Sequence, residues 1–298
     1  MHTTSKPFFD RDTLLHLRLP FSFFLLPIFC FALSQAGSIE IKNSFLLFIS
    51  LHFFIYPGSN IYNSYMDDDK GSIGGLKNPP AITRKLYTTS IIFDSIGLIL
   101  CVFINFHLLL FMSVYILVSK AYSWKGIRLK KYGVLGWLTV ILFQGGFTFL
   151  LVNMTAENNF GWTWFQYKQI EGMVLATLLI GGFYPLTQIY QHEEDSTRGD
   201  FTISYLLGIR GTFIFSGILF LTSFTLALHY FSNYYSITQF YIFLTCILPV
   251  TFYFLNWFWQ SWKNEENANY SNTMKMTFLS STLMILCYCI LLYQNHGS

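Results

Sequence analysis

The chain has 298 residues, of which 53% are hydrophobic and only 11% charged, and its net charge is +3. A soluble domain carries roughly a quarter charged residues, so too few are present here to coat a water-facing surface. That excludes a soluble globular protein, and with no Lys/Arg-rich tract the sequence predicts no nucleic-acid partner.

A bilayer core is crossed by about 20 apolar residues in a helix. Nine runs meet that need, at about 15–35, 43–66, 86–104, 106–122, 133–153, 170–190, 210–231, 237–258 and 275–294. The first lacks a small-residue cleavage site after it and reads as a retained span. The third and fourth are joined by a tight polar turn near Asn105, and the seventh and eighth are split at "HYFSNYYS". The expectation is an all-α polytopic membrane protein, a bundle of about nine transmembrane helices forming a single domain over 1–298. All five cysteines lie inside apolar runs and read as small buried hydrophobes without metal-type spacing.

With the N-terminus cytoplasmic, 16 of the 18 Lys and Arg fall on the cytoplasmic side, and only Lys42 and Lys168 on the other. The positive-inside rule therefore predicts N-terminus in and C-terminus out, which an odd number of spans requires. The longer inter-span segments, 67–85, 123–132, 191–209 and 259–274, share that basic side. Chemistry is expected there.

The second span is free of charge from Asn43 to Met66 and then meets "MDDDKGS". A polar stop to the span is the plain explanation of such a triad. A second copy weighs against it. "YPGSNIYNSYMDDDKGS" from Tyr56 aligns without a gap with "YPLTQIYQHEEDSTRGD" from Tyr184, at an offset of 128 residues, with ten of 17 positions identical or closely replaced. The matches are Tyr, Pro, amide, Asp and Gly, which bulk hydrophobicity does not explain. Asn60, Asn63 and Asp67 stand at i, i+3 and i+7, on one helical face. Gln188, Gln191 and Asp195 repeat that face, with His192 added. The copies end spans two and six, so both polar ends lie on one side. Carboxylate and amide oxygens are hard donors that suit Mg²⁺, whose sites use a few carboxylates together with substrate phosphates.

Between spans four and five lies the basic loop "SKAYSWKGIRLKKYG". Positive-inside bias explains part of its charge. Lys125, Arg128 and Lys130 are candidates to meet phosphate oxygens that a metal leaves uncovered, with Lys131 as a simple anchor. Asp94 lies within span three, where a charge is costly; it is expected to be protonated, paired, or lining a cavity.

Three stretches together resemble the UbiA superfamily of intramembrane prenyltransferases: "NSYMDDDKG" after span two, "QHEEDSTRGDFTISYLLG" after span six and "YSWKGIRLKKYGVLG" before span five. The resemblance covers nearly the whole chain. It implies Mg²⁺ held between the two Asp-rich motifs, a polyprenyl diphosphate donor bound through that metal, an allylic carbocation, and capture by a phenol, quinone precursor or other lipophilic acceptor. Carried over, Asn63, Asp67 and Asp195 match the motifs, and Lys125, Arg128 and Lys130 match the diphosphate-binding segment. This chain has Gly71 where relatives often carry a further Asp, leaving Asp68 or Asp69 to serve. It also has Gln191 where they carry the first Asp of the second motif, leaving Glu194 or His192 to compensate. Arg198 joins the diphosphate set, and Asn60, Tyr122, Gln188 and Asp200 complete the candidate site, with Asp67 and Asp195 in the catalytic role. A terpene cyclase of the same fold would use the same donor site. A secondary transporter is the alternative from another class.

Overall fold

A computed structural model describes residues 10–68 and 71–297. Lys6, Asp69 and Lys70 lie outside the described residues. Among the described residues, nine helices are long and apolar enough to cross a membrane: Arg11–Ser34, Ile41–Asp67, Arg84–Val102, Phe106–Ser123, Gly133–Ala156, Tyr167–Gln188, Ile203–Tyr234, Ile237–Lys263 and Tyr270–His296. They correspond one to one with the nine expected spans, and the chain is an integral multi-pass membrane protein.

Local chemistry explains most of the ends. Asn105 caps the fourth span, its side chain accepting from the His107 backbone N–H at 2.8 Å. The seventh span starts earlier than expected because Thr202 caps a helical turn at Ile203, which joins the main helix across Gly208 at φ 66°. Thr212 Oγ1 spans that break, donating to the Gly208 carbonyl at 2.7 Å. Two spans contain π-helical turns, Ser50–Ile55 in the second and Ile141–Phe147 in the fifth. Such turns shift the register of the side chains that follow and are common at functional sites.

Lipid is as apolar as the helix surfaces, so close packing rather than water exclusion holds the spans together. Gly145 shows how: a Cβ there would sit 2.8 Å from the Ala176 carbonyl oxygen, so only glycine lets the fifth span lie directly on the sixth. Away from the expected site, Asn153 donates to the Ala32 carbonyl at 3.0 Å and accepts from Trp164 Nε1 at 2.9 Å, tying the first and fifth spans to the following loop. Asp94 proves to be paired: Lys120 Nζ lies 2.7 Å from its Oδ2, joining the third and fourth spans. That burial is matched by charge, as membrane depth demands.

The connections after spans two, four and six meet at one end of the bundle. Short parallel bridges join Tyr132 to Phe201 and Gly133 to Thr202. A Cβ on Gly133 would stand 2.6 Å from the Phe201 carbonyl oxygen, so glycine permits this contact too. The bridges dock the basic loop against the residues that follow the second acidic stretch.

Candidate functional site

Asp67 is the last residue of the helix Tyr56–Asp67, and Asp68 beyond it is left-handed at φ 52°. Asn60, Asn63 and Asp67 therefore share a helical face, as their spacing predicts, and all three line a cavity of about 230 Å³. The second copy is built differently. Its helix stops at Gln188, and a new helix, His192–Arg198, begins after Gln191. The break has a cause in the sequence: Glu193, Glu194 and Asp195 fill the first turn of the new helix, where its dipole favours negative charge. The expected single face of Gln188, Gln191 and Asp195 is thus not one helical face. The bend still brings all three to the cavity lining. It turns His192 away: its Nε2 meets Ser204 Oγ at 2.7 Å, and it does not line the cavity.

The carboxylates at 67 and 195 face a common space: both line this cavity, and each is 9% exposed. Gly199 at φ 72° caps the short helix, and the Asp200 N–H returns to the Asp195 carbonyl at 2.9 Å, bringing a third carboxylate, Asp200, into the lining.

The basic loop lies over these carboxylates. Arg128 forms a fork to Asp200, with Nε–Oδ1 and Nη2–Oδ2 both 2.7 Å, and its Nη1 is 3.3 Å from Asp67 Oδ1. Lys130 Nζ pairs with the other oxygen of Asp67 and lies 3.8 Å from Asp200 Oδ2. Arg128 itself is left-handed, at φ 50°, an arrangement that costs a non-glycine residue about 1–2 kcal/mol. Lys130 lines the cavity, Arg128 reaches it only through Asp67 and Asp200, and Lys125 stays exposed and off the lining. Burial alone would weaken the guanidinium's hold on its proton, but the hydrogen bond to Asp200 and the charge of Asp67 outweigh it, and the Arg128 value is raised.

Several expected residues serve the walls. Tyr122 lines the cavity, its hydroxyl in contact with that of Tyr184, which also accepts from Gln188 Nε2 at 3.0 Å. Gln191 Nε2 donates to the Ser72 carbonyl at 3.1 Å, pinning the loop after the first motif to the second. Glu194 accepts from the Gly71 N–H at 3.2 Å and pairs with Arg198. A Cβ at position 71 would collide with the Glu194 carboxylate, so the glycine and this glutamate fit each other. Asp68 and Glu194 face a shallower outer recess shared with Asp67, while Arg198 lines both spaces. Arg18 and Ser119 are among the lining groups to which the sequence assigned no site role. Arg18, 8% exposed, donates from Nη2 to the Asn60 carbonyl at 3.0 Å, and Ser119 donates to Ser59 at 2.9 Å. The alternation of polar residues at span ends was their only signal.

The donor set suits a hard cation. Asn63 Oδ1, Asp67 Oδ1 and Gln188 Oε1 are buried oxygens that accept no hydrogen bond. Among the described residues no three His, Cys, Asp or Glu side chains converge tightly enough to form a metal cage by themselves. Sparse oxygen ligands are the Mg²⁺ pattern, because that ion keeps several waters and takes substrate phosphates.

A second chamber of about 440 Å³ adjoins the cavity, sharing Phe24, Ile180 and Phe183 with it. Its other walls include Phe220, Phe224, Phe243, Phe254, Met284 and Tyr288, and no charged residue lines it.

A charged mouth thus adjoins an apolar chamber within a helical bundle. A model of the UbiA prenyltransferase family matches residues 23–282. The chain belongs to that family. Its fold is similar to a UbiA homolog from Archaeoglobus fulgidus solved with DMAPP and Mg²⁺, at a TM-score of 0.69 and 18% identity over 94% of this chain and 99% of that one. A UbiA homolog from Aeropyrum pernix K1, in its apo form, gives 0.65 and 14% identity over 91% and 98%. A digeranylgeranylglyceryl phosphate synthase gives 0.61 and 18% identity over 95% and 98%. A comparison with curated proteins by sequence finds no significant match.

Proposed function

We propose that this protein transfers a prenyl group from a polyprenyl diphosphate to a lipophilic acceptor, with Mg²⁺, as a single membrane-embedded unit. The observation that carries the reading is the convergence of Asp67 and Asp195 on one cavity beside Arg128 and Lys130, next to an uncharged chamber that shares Phe24, Ile180 and Phe183 with it. The A. fulgidus homolog's complexes with DMAPP and with GPP, each with Mg²⁺, support it.

Asp67, Asp195 and the amide oxygens of Asn63 and Gln188 would hold the metal, with Gln191 and Glu194 beside them. When bound, Mg²⁺ supplies Lewis-acid stabilisation of the negative charge that builds on departing diphosphate. The protein's own groups do the rest. Arg128 and Lys130, neutralised by Asp67 and Asp200 in the structure, exchange those partners for phosphate oxygens. Arg198 closes the opposite rim. The prenyl tail enters the apolar chamber, which keeps water from the allylic cation. Mass spectrometry of products from the purified protein, given Mg²⁺, prenyl diphosphates of several lengths and aromatic acceptors, tests this. Prenylated acceptor is expected. Cyclised donor without acceptor would make it a cyclase, and transport of an unaltered substrate with no diphosphate released would make it a carrier.

The charged mouth is proposed to face the cytoplasm, following the bias of Lys and Arg. A reporter fused after His296 is then expected to be active only outside; cytoplasmic activity would reverse the orientation.

Asp195 makes metal binding pH-dependent. Burial is the main cause that pushes its carboxyl up to about 7, and Asp200 adds to it against the pull of Lys130. The folded state thus holds this proton more tightly than the unfolded chain. Its contribution to stability is full below the ordinary value of 3.8 and is lost as pH rises through about 7. In chelator, thermal stability is expected to fall as pH rises from about 4 to about 7 and to level off above that, and Mg²⁺ affinity to rise with pH over the same range as the proton stops competing. Asp195→Asn is expected to flatten both profiles. A wild-type Mg²⁺ affinity that does not vary over this range would contradict the assignment.

A further inference from the structure

Beyond the charged mouth, the cavity lining includes an apolar part drawn from three spans, an apolar lobe. It is bounded by Tyr115 of the fourth span, Val140 and Phe143 of the fifth, and Ile180 of the sixth. One amide, Gln144, is set among them. Gln144 stands eleven residues past Gly133, roughly 15 Å below the mouth at the helical rise. Its side chain has no protein hydrogen-bond partner among the described residues.

Its position is fixed rather than incidental. Gln144 lies inside the π-helical turn Ile141–Phe147. The next two residues, Gly145 and Gly146, are pressed against the sixth span: a Cβ on the first would stand 2.7 Å from Thr177 Cα, and one on the second 2.6 Å from Thr177 Oγ1. The backbone cannot rotate this amide into lipid without losing that contact. Two lining hydroxyls are committed to their own helices, Thr139 to the Leu135 carbonyl at 2.7 Å and Thr277 to the Thr273 carbonyl at 2.7 Å, while the Tyr115 hydroxyl stands beside Gln144 in the lining without such a bond. An amide half-buried in the cavity with no protein partner is free to be completed by a ligand that enters it.

The donor brings no such partner. Its diphosphate belongs at the mouth, and its tail is hydrocarbon. The charged lining residues Arg18, Asp67, Lys130, Asp195, Arg198 and Asp200 all lie on loops or at span ends by the mouth. No cation is left in this lobe to neutralise a carboxylate. An amide, with two N–H donors and a carbonyl acceptor, is completed by a neutral hydroxyl or carbonyl. We propose that Gln144 binds the acceptor through a neutral hydroxyl or quinone-type carbonyl, and that the protein selects uncharged phenolic or quinol acceptors over carboxylated ones. This rests on the prenyl-transfer reading. In the transfer, the donor C1–O bond breaks with its electron pair leaving on diphosphate. The acceptor's nucleophilic atom forms the new bond to C1, and the proton it loses passes to the departing diphosphate. Gln144 orients the acceptor and exchanges no proton.

The test measures steady-state kinetics for wild type, Gln144→Leu and the isosteric Gln144→Glu. Acceptors are hydroquinones and phenols with and without a ring carboxylate, and Mg²⁺-dependent binding of a non-hydrolysable donor analogue is measured in parallel. Wild type is expected to favour the neutral acceptors. Both variants are expected to raise the acceptor KM at least tenfold while donor-analogue affinity stays within twofold. Wild-type turnover with an unchanged acceptor KM in both variants, or a preference for carboxylated acceptors, overturns the inference alone. Loss of donor-analogue binding in both variants overturns it too, by assigning Gln144 a general structural role. No turnover by wild type with any acceptor overturns the prenyl-transfer reading and the inference with it.

Discussion

Asp67→Asn is expected to lower Mg²⁺-dependent prenyl transfer by about a hundredfold or more, the usual loss when one preorganised electrostatic contact to a developing charge is removed. The amide keeps the shape of the carboxyl and removes its charge. Three functions meet on that charge. Oδ1 is a buried oxygen of a carboxylate that lines the cavity. Both oxygens also hold the basic loop, through Arg128 at 3.3 Å and through Lys130. Without the charge, Lys130 loses its nearest partner and is left with Asp200, at 3.8 Å, and the weaker pull of Asp195, so the loop loses its second anchor. The Mg²⁺ concentration for half-maximal rate is expected to rise together with the fall in kcat. Asp68→Asn is the control, because that residue is exposed and left-handed and lies off the main cavity. It is expected to change the rate only slightly. Initial rates across a Mg²⁺ series separate the two, and a wild-type rate in Asp67→Asn would remove Asp67 from the chemistry.

The nine spans were legible because each is a run of apolar residues long enough for a bilayer, and Asn105 between two of them can only be a turn. The pairing of Asp67 with Asp195 was legible through the repeat, since two matched polar faces ending spans of the same direction must lie at one depth. What the one-dimensional pattern concealed were contacts that join distant segments. The offset of 128 residues suggested two like helices. Three acids together instead start a new helix in the second copy, so His192 points to Ser204 and Asp200 folds back beside Asp195. Lys125 and Lys130 looked equivalent in a basic loop. The left-handed turn at Arg128 and the bridges from 132–133 to 201–202 separate them, and neither has a local sequence signature. Lys120 counted only toward sidedness, yet it neutralises Asp94 across a helix interface.

Arg128 and Asp200 should behave as one unit. Their fork of two 2.7 Å hydrogen bonds joins a guanidinium 15% exposed to a carboxylate 1% exposed. A hydrogen bond to a charged group contributes about 1.5–3 kcal/mol, and a stranded buried charge costs more. Arg128→Ala is therefore expected to lower thermal stability by several degrees and to raise the donor KM by about one to two orders of magnitude, as a charge-assisted contact to diphosphate is lost. Arg128→Lys is expected to recover little, because an ammonium cannot fork to both oxygens of Asp200 and the left-handed backbone loses the tie that holds it. Asp200→Ala is expected to raise the donor KM as well, although this carboxylate would repel diphosphate rather than bind it. It acts by orienting Arg128. The double variant decides between orientation and independent action. If Asp200 works through Arg128, removing it from the Arg128→Ala background adds almost nothing, and the coupling is about 1–3 kcal/mol. Additive losses in KM would mean that the two residues contribute separately. A donor KM improved by Asp200→Ala would mean that the carboxylate serves only to neutralise the site between substrates.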